Sequence, residues 1–168
     1  MAQKILLTKE GLEEQLRRYD ELKTAEKANI VAIQEARAQG DLSENADYDA
    51  ARNEQAQIAA QLKEVENILN NYQLITSDEE SNLGKRVTVK FLDEEEADEE
   101  TYLLVGTIQA NPLEQKISDE SPLGKVIINA KVGDIVLVNT EDGEKFEVKI
   151  IDIQDGVVEK ETKKTKKK

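Results

Sequence analysis

Asp41 and Glu44 stand three residues apart, with Ser43 between them, in the segment Ala36 to Gln55, ARAQGDLSENADYDAARNEQ. Carboxylates at that spacing converge on one cation when the turn runs into a helix. They are half a magnesium site, because Mg2+ takes octahedral oxygen coordination and shares its shell among carboxylates, waters and substrate phosphates. The remaining ligands must come from elsewhere. If a partner enzyme already holds one magnesium and a phosphodiester, a second ion steadied by Asp41 and Glu44 completes a two-metal centre for hydrolysis, with Ser43 orienting the attacking water. A structural reading covers the same residues: Ser43 caps the helix that follows, and Asp41, Glu44, Asp47 and Asp49 favour its positive N-terminal end. The two readings are compatible. A calcium loop is excluded, since the acidic spacing lacks the alternation, central glycine and terminal glutamate of an EF-hand.

The flanking segments must hold this turn. From Thr8 to about Arg37 the chain has no proline, and Leu12, Leu16, Tyr19, Leu22, Ile30 and Ile33 mark one helical face that weakens around Glu26. Beyond the turn, Tyr48, Ala51, Gln55, Ile58, Leu62, Val65, Leu69 and Tyr72 step by threes and fours, as a heptad seam does. A connection as short as Gln39 to Ser43, carrying Gly40, folds the second helix back antiparallel on the first. Arms of roughly 30 residues make a rod of about 45 Å, with the acidic turn at its tip. Arg37 and Arg52 lie on opposite arms and can face one site there. Alternatively, they balance neighbouring carboxylates on a solvated surface.

The chain has 168 residues, a formal net charge of -13, no cysteine and no histidine. That composition removes disulfides, thiolate or imidazole metal ligation, cysteine nucleophiles and histidine bases. The acidic balance argues against autonomous nucleic-acid binding and for a protein as first partner. No apolar run reaches the length of a membrane span, and the N-terminus lacks the layout of a secretion signal, which predicts a cytoplasmic protein.

Near Thr76 the pattern changes from heptads to short alternating segments. Arg86–Phe91, Thr101–Ala110, Ile135–Thr140 and Lys145–Ile153 read as strands, Asp93–Glu100 as an acidic loop, and Glu141–Glu144 as a hairpin turn. Ser121-Pro122 opens a short helix to about Ile128. The predicted core is Val87, Val89, Leu103, Val105, Ile108, Ile127, Ile135, Leu137, Val148 and Ile150. The fold class is α+β. Its parts are an antiparallel coiled-coil domain over 1–76, a linker over 77–83, a small antiparallel sheet with a short helix over 84–158, and a Lys-rich, disordered tail over 159–168.

The Gly40-Asp41-Leu42-Ser43-Glu44-Asn45 centre of the 36–55 stretch resembles the coiled-coil tip signature of the bacterial Gre transcript cleavage factors. Ser121-Pro122-Leu123-Gly124-Lys125 and Lys131-Val132-Gly133-Asp134 are similar to that family's C-terminal signature, and the likeness runs from Met1 to about Val158. It implies an FKBP-like fold for the C-terminal domain and binding to bacterial RNA polymerase through the secondary channel. It also implies stimulation of the polymerase's own cleavage of the nascent RNA 3′ end in backtracked complexes. On this chain Asp41 and Glu44 would share the second Mg2+ with the polymerase, with none held by the free protein, and Ser43 would support them. Arg37 and Arg52 would contact the RNA 3′ end. Asp119, Glu120, Ser121 and Pro122 would dock on the channel rim, although capping of the short helix accounts for the same motif.

Having only this small basic spot, the chain is closer to the GreA branch than to the GreB branch, which implies short cleavage products. It would act as a monomer and not itself as an enzyme. Asp47 stands where the family usually carries Glu and keeps the charge. Asn129 replaces a glycine and suits a left-handed helix cap. An inhibitor of cleavage in the same channel would be expected to differ in the tip carboxylates. A prolyl isomerase needs an aromatic pocket, for which only Phe91, Tyr102 and Phe146 are candidates. A plain coiled-coil adaptor would not require this tip.

Overall fold

A computed structural model describes residues 4–40, 45–76 and 80–156. The chain divides into two units, one over Leu12–Tyr72 and the other combining Lys4–Gly11 with the residues from Gln73 onward. Residues 4–11 thus leave the coiled-coil stretch in which the sequence pattern placed them. They join the second unit because Ile5–Leu7 forms strand β1, which pairs with β2, Tyr72–Leu74. Residues 77–79 of the predicted 77–83 linker and all of the 159–168 tail lie outside the described residues, whereas 80–83 are described and Asn82 is buried.

The first unit is built from α1, Lys9–Ala38, and α2, Ala46–Asn71. Leu22, Ile58, Leu62 and Val65 form its core, with Tyr19, Ala25 and Leu69 packed against them. As residue numbers rise along α1 their partners fall along α2: Arg18 pairs with Glu64 at 3.7 Å, Asn29 donates to the Ala51 carbonyl at 2.9 Å, and Asn45 donates to the Ala36 carbonyl at 2.7 Å. The helices are therefore antiparallel.

The seam of α1 differs from the apolar reading. Leu16 and Ile30 are 48% and 45% exposed, whereas Gln15, Leu22, Asn29 and Ala36, spaced by sevens, are buried. A strict heptad outranks local hydrophobicity here, because each seam position must face the partner helix whatever residue fills it. Asn29 is accommodated by its hydrogen bonds to the Ala51 carbonyl and, at 3.4 Å, to Glu54. On α2, Ile68 is buried, and Leu69, packed against the core, is only half-buried.

In the second unit a five-stranded sheet runs in the order β5-β4-β3-β7-β6. Its strands are β3 Lys85–Phe91, β4 Glu99–Val105, β5 Lys116–Ser118, β6 Ile135–Asn139 and β7 Lys145–Asp155. All neighbours are antiparallel except β4 and β5. Helix α3, Pro122–Ile127, lays Ile127 against a core of Val87, Val89, Leu104, Val138, Val148 and Ile150.

The predicted core needs four corrections. Leu104 is fully buried where Leu103 was expected, Ile108 is 42% exposed, and Ile135 and Leu137 are 57% and 46% exposed. The run Ile135-Val136-Leu137-Val138 is apolar at every position, so it carries no period-two signal. Its pairing decides the face, setting Val136 opposite Val148 and Val138 opposite Phe146. The predicted strand to Ala110 ends at Val105, because Gly106 begins a 3-10 turn over Thr107–Gln109.

Asn129 does not take the left-handed cap, since Gln115 is the one non-glycine with positive φ among the described residues. The end of α3 is closed instead by buried Asn82, which donates to the Ile127 and Ala130 carbonyls at 2.6 and 2.7 Å. Asn82→Ala should therefore cost about 2–4 kcal/mol in urea unfolding, from two lost bonds and two buried carbonyls left without donors. Burial, and then donation to Glu100, pushes the Tyr102 phenol up to about 12 from its ordinary 10.0. Between those values the unfolded chain ionises first, so this contribution to stability is complete below about pH 10 and lost as pH rises toward 12. An absorbance titration should show one of the four tyrosines ionising last, and Tyr102→Phe should remove that phase.

Candidate functional site

The predicted ligands Asp41, Ser43 and Glu44 lie outside the described residues, but both ends of their segment are described. α1 closes with Gln39 and Gly40 amides donating to the Ala36 and Arg37 carbonyls at 3.3 and 3.4 Å. Gly40 then takes φ 108°, a conformation that side chains rarely adopt, with open space around it. On the far side, the Asn45 side chain accepts from the Tyr48 amide at 3.1 Å as the N-cap of α2. The same side chain donates to the Ala36 carbonyl in the last turn of α1, which thus accepts from both Gln39 and Asn45. The cap is thus Asn45, where the sequence pattern assigned it to Ser43. A single amide ties the last turn of one helix to the first turn of the other, leaving residues 41–44 to bridge a gap fixed at both ends.

Each of the two predicted arginines has a described partner on α2. Arg37 lies over the Tyr48 ring, 5.9 Å from its centroid. Arg52, one turn beyond Tyr48 on the same face of α2, donates to Gln55 at 2.9 Å. Both arginines are exposed, and among the described residues neither forms an ion pair with a carboxylate. Tyr48 was read from sequence only as a seam residue; its second role is to seat the guanidinium. Asp47 and Asp49 occupy the first turn of α2, where the helix dipole favours negative charge.

The donor set fits a shared magnesium in its chemistry. Asp41 and Glu44 supply hard oxygens, Ser43 a hydroxyl, and the flanking Arg37 and Arg52 suit phosphate oxygens. Two carboxylates leave most of an octahedral shell for waters and a partner's ligands. Among the described residues no group of three or more acidic side chains is gathered for a metal.

Residues Asp119, Glu120, Ser121 and Pro122 form one tight turn in the second unit. Ser121 Oγ donates to the Ser118 carbonyl at 2.7 Å and accepts from the Gly124 amide at 3.0 Å, capping α3 behind Pro122. A side chain at Gly124 would collide with the Ser118 carbonyl. The Asp119 amide donates to the Val105 carbonyl at 2.9 Å, and Thr107 Oγ1 donates to Glu120 at 3.3 Å. Capping is therefore realised, and Glu120 is exposed while Asp119 is half-buried. In the second signature, Asp134 accepts from the Lys131 amide at 2.9 Å and Gly133, at φ 93°, donates to the Ile150 carbonyl at 2.8 Å. That turn fixes β6 beside β7.

Residues 5–74 match the family model described as the N-terminal part of the transcription elongation factor, and residues 76–155 match the GreA/GreB C-terminal model. A transcription elongation factor GreA from Acholeplasma laidlawii is 45% identical over 148 residues, covering 86% of this chain and 92% of that protein. The GreA proteins of Geobacillus kaustophilus and Thermoanaerobacter pseudethanolicus are 41% and 42% identical, covering 88% and 92% of this chain and 95% and 99% of their own. No helix among the described residues is long and apolar enough to cross a membrane.

Asn45→Ala should destabilise the helical unit by about 1–2 kcal/mol, because it removes both the cap and the tie to Ala36. Asn45→Asp keeps the acceptor but not the donor, so thermal melts should place it between wild type and Asn45→Ala.

Proposed function

Because this chain belongs to the GreA/GreB family of transcription elongation factors, we propose that it enters the secondary channel of bacterial RNA polymerase and activates cleavage of the nascent RNA 3′ end in backtracked complexes. The observation that carries the reading is the Asp41-Ser43-Glu44 tip, bracketed by Gly40 and the Asn45 tie between two long helices. Two carboxylates and a hydroxyl in so short a connection can offer oxygen ligands to a partner.

In this reading Asp41 and Glu44 would hold a Mg2+ ion shared with the polymerase, and that ion supplies charge stabilisation and a more acidic water for phosphodiester hydrolysis. Ser43 orients the water. Arg37, steadied on Tyr48, and Arg52 bind phosphate oxygens of the extruded 3′ end. The hydrolytic centre belongs to the polymerase, and this chain lends it ligands in trans. The turn Asp119–Pro122 docks on the channel rim, Glu120 offering an exposed carboxylate there. The small basic spot favours short cleavage products. In this reading the protein acts in the cytoplasm, where the polymerase works.

On a backtracked complex with a 3′-labelled transcript at fixed Mg2+, Asp41→Asn and Glu44→Gln should each lower stimulated cleavage at least about tenfold while competing for the channel as wild type does. Stimulation that survives both substitutions would overturn the metal role. Channel binding by a wild-type protein that stimulates nothing would replace the reading with an inhibitor of cleavage.

A further inference from the structure

Strand β6 ends one side of the five-stranded sheet, and among the described residues no backbone bond is made along its outer edge. The alternation of the ladder shows which groups face outward. Thr140 donates to the Glu144 carbonyl and Ile150 donates to the Asp134 carbonyl, so the even-numbered residues of β6 exchange their bonds with β7. The amides and carbonyls of Ile135, Leu137 and Asn139 therefore point away from the sheet. The side chains of these three residues are exposed as well, and Val132 adds another exposed apolar group just before the strand. All of these residues belong to the second unit.

Edge strands are normally guarded by lysine, proline, a bulge or shortness. The opposite edge of this sheet follows that pattern. Strand β5 has three residues, begins with Lys116, and is bridged by Asn111, which exchanges both backbone bonds with Lys116. Strand β6 has no such guard. Its sequence Ile135-Val136-Leu137-Val138-Asn139 carries no charge and no proline, in a chain of which 35% is charged, and it pairs with β7 without a shift in register.

We propose that the β6 edge is a docking site for a second copy of this chain, which adds its own β6 antiparallel about a two-fold axis at Leu137. In that register Leu137 meets its counterpart, Ile135 opposes Asn139 of the other copy, and each opposed pair exchanges both of its free backbone bonds. The two ends of the strand are complementary in charge. The strand is entered at Lys131 and left at Glu141-Asp142, so the antiparallel arrangement carries the lysine of each copy to the acidic turn of the other. Lys131, Glu141 and Asp142 are exposed, and none forms an ion pair among the described residues. Asp134, the carboxylate beside Lys131, is occupied by the Lys131 amide. A five-residue edge buries less than the roughly 800 Å² per partner of a standard interface, and a net charge of -13 on each copy opposes contact. The dimer is therefore weak. It departs from the monomeric state that the sequence resemblance implied, and it does not depend on the function proposed above.

The test is sedimentation equilibrium of the full-length protein up to about 1 mM, in about 0.3 M salt to screen the net charge. Wild type should show a monomer–dimer equilibrium with a dissociation constant within about tenfold of 100 µM. Leu137→Lys sets two like charges against each other at the axis without entering the core, and should weaken association at least about tenfold with an unchanged melting temperature. Ile135→Lys decides the matter if Leu137→Lys fails to fold. Lys131→Glu should weaken association too, and adding Glu141→Lys and Asp142→Lys to it should restore association. A protein that stays monomeric throughout, or a dimer that none of these substitutions weakens, would overturn the proposal. So would variants that sediment as wild type does but lose channel binding, since the polymerase would then be the occupant of the edge.

Discussion

One side chain closes the hairpin. A helix that ends leaves its last carbonyls without donors, and one that begins leaves its first amides without acceptors. Asn45 serves both ends, giving its amide hydrogen to the Ala36 carbonyl, which also accepts from Gln39, and its oxygen to the Tyr48 amide. Asparagine suits the position because it carries donor and acceptor on one short stem, whereas serine or aspartate at a cap usually serves the following helix alone. The antiparallel register then follows from the same tie, reinforced further along by the buried Asn29 bonded to Ala51.

The second unit repeats the economy. Its signature residues look functional in sequence and turn out to bind the backbone: Ser121 caps α3, Gly124 admits the Ser118 carbonyl, and Asp134 with Gly133 closes the approach to β6. Structural duty does not compete with docking. A turn whose every amide is assigned to a partner is rigid, and a rigid turn loses little entropy when another protein settles on it. The exposed Glu120 is carried by such a turn, itself bonded to Thr107.

Much of this was written in the chain. The long helices, the turn at Gly40, the helix behind Ser121-Pro122 and most strand positions announce themselves through periodicity and turn chemistry. Part of what stayed hidden shares one cause: side-chain amides acting at long range. Asn29, Asn82 and Gln109 are ordinary polar residues in sequence, and only tertiary structure supplies the carbonyls and amides that make them central. Asn45 was within reach, since an asparagine directly before a helical run is a recognised start signal, but Ser43 competed for the same role. The misassigned faces of α1 and β6 have a different origin. Both carry apolar residues on two sides, so hydrophobicity alone cannot choose which side is buried. Of the site, the residue types were readable and the arginine seat on Tyr48 was not, because a cation over a ring leaves no spacing rule in sequence.

The central claim is that the tip lends metal ligands to another protein's active centre. Its most direct test is the Mg2+ dependence of 3′-end cleavage in a backtracked polymerase complex, titrated with and without the factor at saturation. If Asp41 and Glu44 help hold the ion, adding the factor lowers the half-saturating Mg2+ concentration as well as raising the rate. A higher rate with an unchanged Mg2+ midpoint would contradict the account, because the factor would then be acting on the RNA or the polymerase without touching the metal.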